Sequence, residues 1–196
     1  MRRLVLALAI LALAPGTAGA SSSGGTAPVV ADWPGGADPA ATQPAPSPGS
    51  PAAPGPVGTV SGAMARLAGA IARAPRRAPA AVRLMIAAGN ALQDKPYRYG
   101  GGHDDFVDEA YDCSGTVSYA LHAAGVLDAP VDSTGLMTWG EEGPGRWVSI
   151  YANPDHAFMV IAGLRLDTSG SGGRGPRWNR EERDLEGFEV RHPPGL

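Results

Sequence analysis

The chain has one cysteine, Cys113, which excludes an internal disulfide and leaves the fold to stand on its own apolar core. It has no long hydrophobic stretch. The apolar run Leu4–Ala14 is about half of the ~20 residues that span a bilayer. No cysteine stands just after that run, so the usual lipid anchor of an exported protein is not expected. No charge of one sign dominates. Sixteen basic side chains face 19 acidic ones, and no Lys/Arg block marks a nucleic-acid or anionic-membrane surface. Internal repeats and metal-ligand spacings are missing too. The loop His103, Asp104, Asp105, Asp108, Glu109 reads as solvated rather than as a calcium site. Gly100-Gly101-Gly102 lacks the lysine of a phosphate loop and reads as backbone passing close to a neighbour. No metal or cofactor is expected.

Residues 1–20 combine Arg2 and Arg3, the apolar run and the small-residue site Ala18-Gly19-Ala20. This is the pattern of a secretory signal peptide, so the mature protein is expected to be exported, with no transmembrane segment after leader removal. Residues 21–60 are rich in Ala, Gly, Ser, Thr and Pro, with nine of the 19 prolines between Ser21 and Pro56. Such a segment buries too little apolar surface to offset its ordering entropy and reads as a disordered tether. In residues 61–78, Met64, Leu67, Ala68 and Ile71 recur at helical spacing, which predicts a short amphipathic helix stopped by Pro75, then a linker. Residues 79–196 are left for one domain.

That domain is expected to be α+β. A helix from about Pro79, with Val82, Met85, Ile86 and Gly89 on one face, should stop before Pro96. Val117, Leu121 and Ala124 mark a second helix, ended by Gly125 in a left-handed cap. Beyond it the period becomes two. Trp147–Tyr151, His156–Ala162, Leu164–Thr168 and Phe188–Arg191 read as short antiparallel strands. Ser169–Pro176 reads as a flexible loop, and Trp139, Trp147 and Trp178 as core.

A lone cysteine is usually a small buried hydrophobe; its neighbours change the reading here. Asp112-Cys113-Ser114-Gly115 stands where the helical pattern begins, with Asp112 as N-cap. Cys113 then lies on the first turn, where unpaired N–H groups and the macrodipole favour a thiolate. His156, at the mouth of an apolar strand, is the best-placed base. His103 lies in a polar loop, His122 falls off its helix stripe and His192 is near the end. If Ala162 and Gly163 are the central turn residues, Asp167 comes to the face of His156, ~7–8 Å away diagonally. A shifted turn puts it on the other face.

Three stretches together resemble the NlpC-like cell-wall peptidases of the papain-like superfamily: Pro96-Tyr97-Arg98-Tyr99-Gly100-Gly101, Asp112-Cys113-Ser114-Gly115, and the strand opening at His156. The resemblance covers about Ala80 to Gly170. It implies a circularly permuted papain-like fold, with the nucleophile at a helix N-terminus packed on a small antiparallel sheet. It also implies cleavage of amide bonds in peptidoglycan stem peptides, and the chain is expected to be a monomer. Cys113 would be the nucleophile, His156 the base and Asp167 the residue orienting the imidazole. Tyr97 would be a hydroxyl donor near the oxyanion, with Asp112 and Ser114 on the substrate amine side. The chain departs from the family in having Gly145-Arg146-Trp147 where a Gly-Asp pair is common, and Asp167 where His, Asn or Gln is usual. Two other readings are a thiol acyltransferase and a non-catalytic wall-binding module.

Overall fold

The computed structural model describes residues 55–170, 172–180 and 183–196, all within the unit Ala45–Leu196. The leader at 1–20 and the tether as far as residue 54 lie outside the described residues. The elements are β1 (Thr59–Val60), β2 (Arg66–Ala68), β3 (Ile71–Pro75), α1 (Ala80–Ala91), α2 (Cys113–Ala123), α3 (Ser133–Leu136), β4 (Glu141–Glu142), β5 (Val148–Asn153), β6 (His156–Ile161), β7 (Leu164–Asp167), β8 (Arg177–Asn179) and β9 (Glu189–His192). Helices and a largely antiparallel sheet make the fold α+β.

The short helix expected in residues 61–78 is absent. Its place is taken by the β2–β3 hairpin, which pairs Ala68 with Ile71 and Arg66 with Arg73, while β1 pairs parallel to β3. An isolated helix of this length is marginal, whereas the segment's period-two pattern buries Ala72 and Ala74 and leaves Ile71 and Arg73 exposed. Met64 and Ile71, which a helix would have turned inward, are exposed. Asn90 of α1 completes the exchange, since its Oδ1 accepts from Ala72 N at 2.8 Å and its Nδ2 donates to Ala72 O at 2.9 Å. Ala65, Ala72, Ala74 and Ala78 belong to the main core, and Ala65 N donates to Ala162 O. The domain therefore begins well before residue 79, and Thr59–Val60, assigned to the tether, form its first strand.

Helix α1 buries Val82, Met85, Ile86 and Gly89 as the periodicity predicts. Gly89 is required by contact: a Cβ there would stand 2.4 Å from the Trp178 ring. Trp178 is in turn held by Nε1 donating to Asn90 Oδ1 at 2.9 Å. Gly89→Ala should therefore destabilise by about 1–3 kcal/mol through overpacking, despite a helix-propensity gain of about 1 kcal/mol. Urea denaturation reads this directly. A more stable variant would mean that the ring relaxes freely.

Helix α2 opens on Asp112, whose carboxylate accepts from Gly115 N, and closes at Gly125 (φ 71°). There Gly125 N donates to His122 O and Val126 N to Leu121 O, the pairing expected of a glycine-ended helix. The sheet runs β4-β9-β5-β6-β7-β8. Ala162 and Gly163 both have positive φ, 47° and 82°, which makes the tight β6–β7 turn and pairs Ile161 with Leu164. Strand β8 begins just after the stretch read as a loop, Ser169–Pro176, and carries the buried Trp178, and β9 lies between β4 and β5. Helix α2 packs on β6, which brings the N-terminus of the helix to the mouth of that strand.

Candidate active site

The loop ahead of α2 is clasped to the helix start. Asp112 N donates to Gly101 O at 3.1 Å, and Gly100 N donates to Asp112 Oδ2 at 3.0 Å. The approach is so close that a Cβ on Gly115 would collide with Gly101 O, and one on Gly101 with Ala110 O, which accounts for both glycines. Tyr111 anchors the loop from below, donating to Phe106 O at 2.7 Å; burial pushes its hydroxyl up to about 12. Asp108 accepts from Gly102 N and Arg98. The Gly102 N–H foremost, with Glu109 N–H and Arg98, holds its carboxyl down at about 2 against some desolvation.

Cys113 is the first residue of α2 and half-buried. Asp112 caps Gly115, so the N–H groups of Cys113 and Ser114 have no intrahelical acceptor and point out of the helix end. His156 opens β6, and its backbone N donates to Asn153 Oδ1 at 2.8 Å. Its Nε2 lies 2.9 Å from Asp167 Oδ1, which leaves Nδ1 for other partners. Burial alone would lower the proton affinity of this imidazole. Hydrogen bonds to Asp167 and then Cys113, with the charges of both, override it and raise the ring to about 9. Cys113 is therefore close enough to His156 to act on its charge.

Asp167 ends β7, one step past the Met159–Leu166 pair, and is 1% exposed. Its Oδ1 also accepts from Ser169 N at 2.8 Å. Its Oδ2 accepts from Ser169 Oγ at 2.8 Å and from Arg183 Nη1 at 3.0 Å. Arg165 Nε, buried and without a hydrogen bond, lies 3.3 Å from the same oxygen. Burial would raise this carboxyl, but the His156 and Ser169 hydrogen bonds hold it at about 2. Arg183 also lies over the rings of Phe158 and Phe188, 5.2 and 5.3 Å from their centres.

A cleft of about 340 Å³ opens at Cys113. It is lined by Tyr97, Tyr99 and His103 from the clasped loop, Asp112–Ser114, Asp132–Thr134 at the start of α3, and Pro154–Asp155 of the β5–β6 turn. The Tyr97 hydroxyl is shifted upward, first by burial, then by the charges of Cys113 and Asp112. Of the six residues singled out in the sequence, Tyr97, Asp112, Cys113 and Ser114 line this cleft, and His156 and Asp167 pair with each other outside its lining. Asp112 and Ser114, however, have their oxygens engaged. His103 Nε2 is 3.1 Å from Asp112 Oδ1 and 3.0 Å from Ser114 Oγ.

Three residues of the site were not anticipated. His103 sits in an aperiodic Gly/Asp loop, so nothing in the sequence placed it at the cleft. Arg183 comes from a connection with no periodic signal. Arg165 was legible, since i, i+2 spacing puts it on the strand face of Asp167.

The chain matches no family model, and no curated protein is similar to it. Among solved structures it is similar to the P60 domain of antigen MAP1204 from M. avium subspecies paratuberculosis. The identity is 23% and the TM-score 0.44, over 57% of this chain and 93% of that one. The chemistry below rests on the geometry of the chain itself.

Proposed function

We propose that the chain is an exported cysteine peptidase or amidase that hydrolyses amide bonds in peptidoglycan stem peptides through a thioester. The observation that carries this reading is a helix-N-terminal cysteine close enough to act on the charge of a histidine whose Nε2 is fixed, at 2.9 Å, by a buried aspartate. The leader-like residues 1–20 support export, and the resemblance of the motifs around Tyr97, Cys113 and His156 to wall peptidases supports the substrate class.

In this reading Cys113 Sγ, as thiolate, attacks the amide carbon, and the carbonyl oxygen takes up the negative charge. The Cys113 N–H and the Tyr97 hydroxyl donate to that oxyanion; losing one such donor commonly costs ~3 kcal/mol. His156 gives its proton to the departing amine as the C–N bond breaks. Water then attacks the thioester while His156 removes a proton from it, releasing the carboxylate product and the thiolate. Asp167 holds the ring with Nδ1 toward sulfur and balances the imidazolium. Arg183 and Arg165 share the same carboxylate, which limits how strongly it retains the proton on His156. Asp112 acts as helix cap and loop clasp, and His103 with Ser114 forms the surface that meets the substrate beside the sulfur.

Iodoacetamide labelling of the mature protein from about pH 4 to 9, with His156→Ala beside it, tests the pair, because rate against pH reports the thiolate. Fast labelling that is flat below about pH 7 and disappears in the variant is expected. Slow labelling in both proteins, rising only above about pH 8, overturns the enzyme reading and leaves a non-catalytic module. Mass analysis of fragments released from purified cell wall then separates hydrolysis from acyl transfer.

A further inference from the structure

A second cavity, of about 710 Å³, lies between the Ser61–Ala63 turn, the residues that follow β3 and those that lead into β5. It shares no lining residue with the cleft at Cys113. Its lining includes Arg76, Arg77, Arg146 and Trp147 and no acidic residue. Among the described residues no carboxylate pairs with any of these three arginines. All three are exposed and Trp147 is half-buried, with the Arg146 guanidinium 5.8 Å from the ring centre.

The backbone that carries them is fixed. Arg76 N donates to Val60 O at 2.9 Å, and Trp147 O accepts from Ala162 N at 2.7 Å. The chain as a whole carries a net charge of −3, so this cavity is a local concentration of cations rather than a sample of a basic surface. Like charges converging on one concavity without counter-charge repel one another, and an oxyanion placed between them removes that repulsion. Guanidinium forks match carboxylate and phosphate oxygens in pairs. The indole adds a flat apolar surface on which the C–H face of a sugar ring can be buried. The volume falls in the usual range for a small-ligand site, roughly 300–1,000 Å³.

We propose that this cavity binds an anionic glycan, with a sugar ring against Trp147 and its carboxylate or phosphate group held by Arg76, Arg77 and Arg146. The site would hold the protein on a charged polysaccharide independently of the chemistry at Cys113. It is tested by titration calorimetry on the full chain at low salt. The probes are peptide-free glycan strands bearing free lactyl carboxylates, a phosphorylated dextran, a neutral chito-oligosaccharide of similar length, and inorganic polyphosphate.

At least one of the two charged glycans should bind more tightly than both the neutral sugar and the polyphosphate, and the tighter of the two identifies the anion. Affinity should fall with added salt. Arg76→Gln/Arg77→Gln together, and Arg146→Gln alone, should each weaken it by about tenfold, as loss of a charge-assisted contact does. Iodoacetamide labelling of Cys113 should be unchanged in these variants, so a failure here is distinct from a failure of the peptidase reading. Binding indifferent to the arginine substitutions overturns the proposal. So does polyphosphate or the neutral sugar binding as tightly as the charged glycans, since charge or stacking alone would then suffice.

Discussion

His156→Ala is expected to lower kcat/KM on cell-wall peptides by about 10⁴-fold, the scale on which a base and nucleophile acting as a unit fail together. In the proposed mechanism the imidazole has two tasks: it holds the proton that balances the sulfur's charge, and it delivers that proton to the leaving amine. Alanine removes both. The side chain is largely enclosed, 17% exposed, with Phe158 and Phe188 rings at 6.2 and 6.4 Å. A cavity is therefore left as well, and circular dichroism must show the fold intact. Product release quantified by mass gives the rate. Activity within tenfold of wild type would remove His156 from the reaction.

Substitution of Asp167 should have the largest effect on stability, and alanine and asparagine should act differently. Asp167→Ala leaves His156, Arg165 and Arg183 facing a site without counter-charge, a change that typically costs about 3–5 kcal/mol. Asp167→Asn keeps the shape and an acceptor for the ring, so its main effect should be on titration. The carboxylate helps to raise His156 to about 9, so wild-type turnover should fall as pH rises through about 9, where the leaving-group proton is lost. Removing the negative charge moves that limb to lower pH. Asp167 itself behaves in the opposite sense. Its folded value of about 2 is below the ordinary 3.8, so its contribution is complete above about pH 4 and is lost as pH falls through about 2. The difference corresponds to on the order of 2 kcal/mol. Asp167→Asn should lack that acid-side loss in denaturation curves taken at several pH values, and an unmoved alkaline limb would show that His156 titrates independently of the carboxylate.

The geometry of the candidate site was legible where it depends on short-range rules. Asp112 as N-cap, Cys113 on the first turn and Gly125 as the helix stop follow from side chains that satisfy neighbouring backbone groups. Asp167 was legible only on condition that Ala162 and Gly163 make the turn; the structure gives both a positive φ, which sets the register, and the register sets the face. The hairpin at β2–β3 did not follow. Met64, Leu67, Ala68 and Ile71 fit a helical period, yet the small residues Ala72 and Ala74 fit a strand beside α1, and the side chain of Asn90 decides between them from 18 residues away.

By itself the sequence determined the helix ends and narrowed the β6–β7 turn to two registers, because each depends on backbone conformation and hydrogen bonds within a few residues. The tertiary structure decided where the N-terminal hairpin pairs, that β9 lies between β4 and β5, and that His103 reaches Ser114. It also decided that Arg183 shares the buried carboxylate, and that Arg146 joins Arg76 and Arg77 around one cavity. These contacts join segments that no local period relates. Their energy comes from burial and charge compensation, which exist only once distant parts of the chain have packed together.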